Sequence, residues 1–139
     1  MIEIISGEKG KGKTKELLNK VNTSITSATG NIVYLDKSQK HMYELNNKIR
    51  LINVNDFLID NCDEFLGFIC GVISQDHDLE AMYLDSFLSM ASVTDDYVGY
   101  VLTQLDKISN AFGVDFVISI SIDAENIPEE FRDKIVISL

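Results

Sequence analysis

The chain has 139 residues, 45% of them hydrophobic and 24% charged. That balance is ordinary for a soluble globular protein and fits one domain with a single core, residues 1–139. The formal net charge of −10 argues against nucleic acid as a partner.

No apolar run approaches the roughly 18 residues of a membrane-spanning helix, so no membrane association is expected. The start, Met1-Ile2-Glu3-Ile4-Ile5, lacks the basic region of a secretion signal and reads as a strand. Cys62 and Cys70 form no C-x-x-C pair. A disulfide framework or zinc site is not expected, and a reducing cytoplasmic setting is. The charge is uneven. Residues 1–50 carry nine of the 12 Lys and Arg but only five of the 22 acids. A basic island in an acidic protein points to a local anion site.

In chain order, Ile2–Ile5 is a short buried strand, and Ser6 and Gly7 begin a turn. From Lys13 the pattern is helical, with Leu17, Leu18, Val21 and Ile25 on one stripe and Gly30-Asn31 as the stop signal. Asn31–Asp36 is a second strand, rich in β-branched and aromatic residues. A short polar helix is expected over 38–48, then a strand near an edge over 49–54. Residues 56–75 read as a helix whose core stripe is Phe65, Phe68, Ile69, Val72 and Ile73, with Cys70 a structural thiol in that apolar surrounding.

Glu80–Leu84 is a fourth strand, ending at Asp85. Thr94 reads as the N-cap of a helix that stops at Gly113, with Val98, Val101, Leu105, Ile108 and Phe112 facing the core. Residues 115–122 form a fifth strand. Pro128 heads a short helix over 129–132, and residues 135–138 form a final strand. Alternating strands and helices with near-continuous apolar strands predict a three-layer α/β/α sandwich around a mostly parallel sheet of five to six strands.

The stretch Gly7-Glu8-Lys9-Gly10-Lys11-Gly12-Lys13-Thr14 matches G-x-x-x-x-G-K-[ST] at every fixed position, between a strand and a helix as the motif requires. Glycines there let backbone N–H groups turn inward around phosphates, and the following helix aims its positive end at the same spot. Lys13 is the candidate to reach the β- and γ-phosphates and to serve catalysis. Thr14 is the candidate Mg²⁺ ligand, and Lys9, Lys11 and Lys15 add positive charge.

Ala81-Met82-Tyr83-Leu84-Asp85 has the pattern of a Walker B strand, with Asp85 placed to order the metal shell. The residue after it is Ser86, where many such ATPases carry a water-polarising Glu. Asp36 is the leading candidate for that role, ahead of Glu44, Asp95 and Asp123. Ser121 is a candidate γ-phosphate contact. His41 and His77 read as surface residues, Tyr34 and Tyr83 as core residues. Neither Arg50 nor Arg132 reads as an arginine finger.

By these residues the chain resembles the P-loop NTPase superfamily, most closely the additional-strand group that includes RecA-like ATPases. The resemblance implies a sensor strand between the loop strand and the Walker B strand. It also implies an acid just past the second strand, where this sequence reads Asp36-Lys37-Ser38 without a Glu. A thymidine-kinase-like relative would carry a zinc lasso that two isolated cysteines cannot form. No N/T-K-x-D element specifies guanine, which leaves adenine.

The expected activity is binding of ATP with Mg²⁺, with weak hydrolysis completed by a protein partner or a second copy. The alternatives are a non-hydrolysing regulatory or structural subunit, and a small phosphotransferase with an acceptor pocket near Asp36 and residues 37–48.

Overall fold

A computed structural model describes residues 1–139. Six strands, β1 (Ile2–Ser6), β2 (Asn31–Asp36), β3 (Arg50–Asn53), β4 (Leu79–Leu84), β5 (Asp115–Ile120) and β6 (Ile135–Ser138), form one sheet. Its order is β3-β2-β4-β5-β1-β6, and every neighbouring pair is parallel. β5 thus separates β1 from β4. β3 lies at one edge and β6 at the other.

Parallel neighbours need crossover connections, and helices supply most of them. The helices are α1 (Lys13–Ser24), α2 (Cys62–Ser74), the single turn α3 (Phe87–Met90) and α4 (Val98–Phe112). Because side chains alternate along a strand, each strand feeds two cores. Ile2, Ile4, Val33, Leu35, Met82, Leu84, Phe116 and Ile118 join one core with residues of α2, α3 and α4. Ile5, Ile32, Tyr34, Ala81, Tyr83 and Val117 join the other with Leu17, Leu18 and Val21 of α1. The result is a three-layer α/β/α sandwich around an all-parallel sheet. Burial on both faces explains why the strands read as unbroken apolar runs.

Four local expectations are corrected. Residues 38–48 hold only a 3-10 turn over Met42–Glu44. Side chains capture the backbone donors that a helix would use. Asn22 Oδ1 accepts from Asn46 N at 2.8 Å and Asn46 Oδ1 from Lys48 N at 2.9 Å. The helix expected over 56–75 begins at Cys62. Asn61 caps it by accepting from Glu64 N at 2.9 Å, while Glu64 Oε1 accepts from Asp60 N at 2.7 Å.

Thr94 precedes a 3-10 turn, Asp95–Tyr97, and makes no side-chain cap bond. Phe112 is 58% exposed, while Leu102 joins Val98, Val101 and Leu105 in the core. The stripe continues to Ile108, which packs against the core, and closes one turn before the helix ends. Gly113 caps that end as expected, in the left-handed region at φ 67°.

Candidate functional site

The carboxyl ends of the parallel strands converge on one cleft of about 440 Å³, where ligands bind in open α/β sheets. The loop after β1 forms one wall with Lys9, Gly10, Gly12, Lys13 and Thr14. The segment after β2 forms another with Asp36, Lys37, Lys40 and His41. Asp85, Ser86, Ser119 and Ser121 close it from β4 and β5. Residues from four segments of the chain thus meet at one sheet edge.

Gly12 is the N-cap residue of α1 at φ 93°, in the left-handed region that disfavours side chains. That turn lets α1 start at Lys13, and the first two residues of the helix line the cleft. The amides of residues 8–12 donate to no backbone carbonyl, so the loop keeps a set of free N–H donors. Lys13 is 8% exposed, and its Nζ donates to the carbonyl of Glu8 at 2.8 Å. Burial lowers its pKa from the ordinary lysine value, against the opposing pull of the Asp85 charge.

Asp85 is the hub. It is 2% exposed. Its Oδ1 accepts from Thr14 Oγ1 at 3.2 Å, from Ser119 Oγ at 2.8 Å and from its neighbour Ser86 N at 2.8 Å. Its Oδ2 accepts from the buried Tyr34 hydroxyl at 2.8 Å. Burial, then the charge and hydrogen bond of Asp85, raises the Tyr34 pKa far above the usual phenol value, so Tyr34 stays a donor. Ser86 follows in the left-handed region at φ 50°. A serine there is strained backbone at a site, and its N–H is aimed at Asp85 Oδ1 and at Ser119 Oγ, the latter at 3.0 Å.

Asp36 is 3% exposed. Its Oδ1 accepts from Lys37 N at 2.7 Å, and its Oδ2 has no hydrogen-bond partner. Burial and the nearby Asp85 charge, in that order, raise its pKa. His41 corrects the surface reading. It lines the cleft, and its side chain is only 19% exposed. Ligand atoms of Asp36, His41 and Asp85 lie within 4.8 Å of one another.

Other candidates lie apart. Lys11 and Lys15 are exposed and outside the cleft lining, and Gly7 is buried behind it. Ser121 stands where this cleft meets a second one lined by Glu8, Asp95 and Asp123. Glu44 contacts the ring of His41 instead of the cleft. Arg50 pairs with Asp76 at 3.2 Å, and Arg132 donates to the carbonyls of Ile127 and Glu125, so no arginine enters the cleft. Sequence reasoning missed Ser119 and the Tyr34 hydroxyl. Nothing local marks them. Only the parallel register of β4 with β5 and of β2 with β4, in which Leu84 faces Ile118 and Leu35, sets them beside Asp85.

Among solved structures, the chain is similar to the flagellar accessory protein FlaH from Methanocaldococcus jannaschii, with a TM-score of 0.58 and 12% sequence identity. The match covers 93% of this chain and 63% of that one, so the chain spans less than two thirds of that structure's length. The likeness fits an α/β fold built on a parallel sheet. No protein-family model and no curated protein sequence matches the chain. No helix is long and apolar enough to cross a membrane.

Proposed function

We propose that this chain binds a nucleoside triphosphate, ATP, together with Mg²⁺. The observation that carries the reading is the pairing of a donor-rich glycine loop with a buried carboxylate across one cleft. Thr14 hydroxyl and Asp85 Oδ1 stand 3.2 Å apart, a hydroxyl and a carboxylate as a hard, oxygen-seeking dication requires. The unpaired amides of residues 8–12 and the Lys13 ammonium supply the donors that a phosphate tail needs.

On binding, Lys13 would leave the Glu8 carbonyl and turn to phosphate oxygens. Lys9, Lys37 and Lys40 would add positive charge at the rim. Bound Mg²⁺ would neutralise charge on the phosphates. Asp85, held by three side-chain donors, would fix the metal shell, and Ser121 would lie within the same wall.

Hydrolysis rests on Asp36. Its unpartnered Oδ2 and raised pKa suit a group that accepts a proton from attacking water. No arginine enters the cleft, so a protein partner or second copy would supply the missing cation and turnover in isolation would be slow. A specific feature favours a second reading, a nucleotide-responsive regulatory subunit without turnover: Ser86 stands where a catalytic Glu would follow Asp85. A phosphotransferase is the third, with the Asp36–His41 wall as its acceptor side. The free thiols of Cys62 and Cys70 suit a reducing cytoplasm.

Calorimetry tests the binding. Wild type should bind ATP·Mg²⁺, and Lys13→Ala should lose at least about 100-fold in affinity, the scale of a buried charge-assisted contact. Unchanged affinity in Lys13→Ala would sink the proposal. Steady-state phosphate release separates the first two readings: turnover lost in Asp36→Asn identifies an ATPase, and its absence in wild type identifies a regulator.

A further inference from the structure

We propose that Asp36, His41 and Asp85 form a binding site for one borderline transition-metal dication such as Zn²⁺ or Co²⁺, distinct from the Mg²⁺ position beside Thr14. The site shares Asp85 with that position but needs no nucleotide. Three features of the cleft carry the inference.

First, Asp36 Oδ2 is a buried carboxylate oxygen with no partner, and its side chain lines the cleft. Leaving such an atom unpaired is costly, and it needs either a proton or a cation. Its neighbour makes the need sharper, because the second buried carboxylate, Asp85, lies within the same cluster. Lys13 is the one buried ammonium close by, and its Nζ is directed at the Glu8 carbonyl.

Second, each of the three residues keeps a free ligand position. Asp36 Oδ2 is wholly free. Asp85 Oδ2 takes one hydrogen bond, from Tyr34, and so retains a lone pair. His41 Nδ1 contacts Glu44 Oε2 at 2.5 Å, leaving Nε2 as the unpartnered ring nitrogen. A carboxylate on the far nitrogen fixes ring orientation and tautomer, as it does for metal-bound histidines generally.

Third, the spacing is close to closed. The ligand atoms lie within 4.8 Å of one another. Atoms bound at about 2.1 Å to one tetrahedral ion lie about 3.4 Å apart, so a movement of under about 1 Å by each ligand atom completes the set. The imidazole decides the metal class: one nitrogen with two carboxylate oxygens suits Zn²⁺, Co²⁺ or Mn²⁺, whereas Mg²⁺ prefers oxygen alone.

The test uses the full chain without nucleotide, with Co²⁺ followed by its visible spectrum and Zn²⁺ by calorimetry. Wild type should bind one equivalent of either ion. His41→Ala should weaken binding at least tenfold, and Asp36→Asn should do the same. His77→Ala should leave it unchanged. Stoichiometric binding that survives in His41→Ala overturns the proposal, as does the absence of one-equivalent binding in wild type. His41 is a partly exposed residue of the cleft wall, so its variant tests the site without altering a buried carboxylate. Loss of metal in His41→Ala alongside failed ATP binding in wild type would reject the nucleotide reading alone. The reverse pattern would reject the metal site alone.

Discussion

Tyr34 donates its buried hydroxyl to Asp85 Oδ2 at 2.8 Å from the neighbouring strand. The two residues sit on β2 and at the end of β4, whose register is locked by the backbone bond from Asp85 N to Leu35 O at 3.0 Å. Tyr34 is therefore the sole side chain holding that oxygen, whereas Oδ1 is held by Thr14, Ser119 and the Ser86 amide. The asymmetry orders the cost of two substitutions. Tyr34→Phe should destabilise the fold by about 2 kcal/mol, because a buried charged acceptor loses its donor. Ser119→Ala should cost under about 1 kcal/mol, since Oδ1 keeps two donors. Urea unfolding of both variants measures the order, and equal losses would mean that Asp85 does not depend on the Tyr34 hydroxyl.

Gly12 meets no atom within 4 Å of the position a Cβ would take. Any cost of Gly12→Ala is therefore backbone strain at φ 93°, about 1–2 kcal/mol. Thermal unfolding should show that loss, and calorimetry should show weakened ATP binding as the loop relaxes. A variant as stable as wild type would mean that the loop tolerates another turn.

Asp36 gives a pH prediction for the metal-free protein. Its folded pKa is raised, first by burial and then by Asp85. Between its unfolded and folded pKa values the native state binds more protons than the unfolded chain, so stability falls as pH rises through that window. Above the folded pKa the full penalty persists. Asp36→Asn should therefore melt higher than wild type near pH 7, and the gap should close as pH falls below the carboxylate range. A gap that widens in acid would contradict this sign.

The end of α4 provides a packing test. Leu105 is fully buried and Phe112 is 58% exposed. Leu105→Ala should cost about 2–4 kcal/mol, and Phe112→Ala should stay within about 0.5 kcal/mol. Denaturant midpoints read the difference directly. Comparable losses would restore Phe112 to the core stripe.

How far the sequence reaches depends on how local each feature is. The loop from Gly7 to Thr14 is legible because its glycines, its lysine and its threonine are contiguous, and one strand–turn–helix unit positions them all. The strands are legible because both faces are buried, which makes them continuous apolar runs. Even the edge position of β3 can be read from its partial alternation. The polar segment 38–48 reads as helix but folds otherwise, because its asparagine and serine side chains compete for backbone donors, an outcome set by contacts with Asn22 of α1.

The surroundings of Asp85 are decided by tertiary structure alone. Period-two alternation puts Ser119 and Ser121 on the same side of a strand, and the sequence favours Ser121. The register that pairs Leu84 with Ile118 sets Ser119 against Asp85, and β5 ends at Ile120. Tyr34 looks like core in sequence, and its ring is core. Its hydroxyl acquires a role because β2 lies next to β4. His41, which has no ligand-like spacing in sequence, reaches the cleft because no helix forms to carry it away. The sequence by itself determined the loop and the two-faced sheet, since those follow from neighbours along the chain. Strand order and register determined which buried side chains face Asp85, since parallel strands bring together residues separated by dozens of positions.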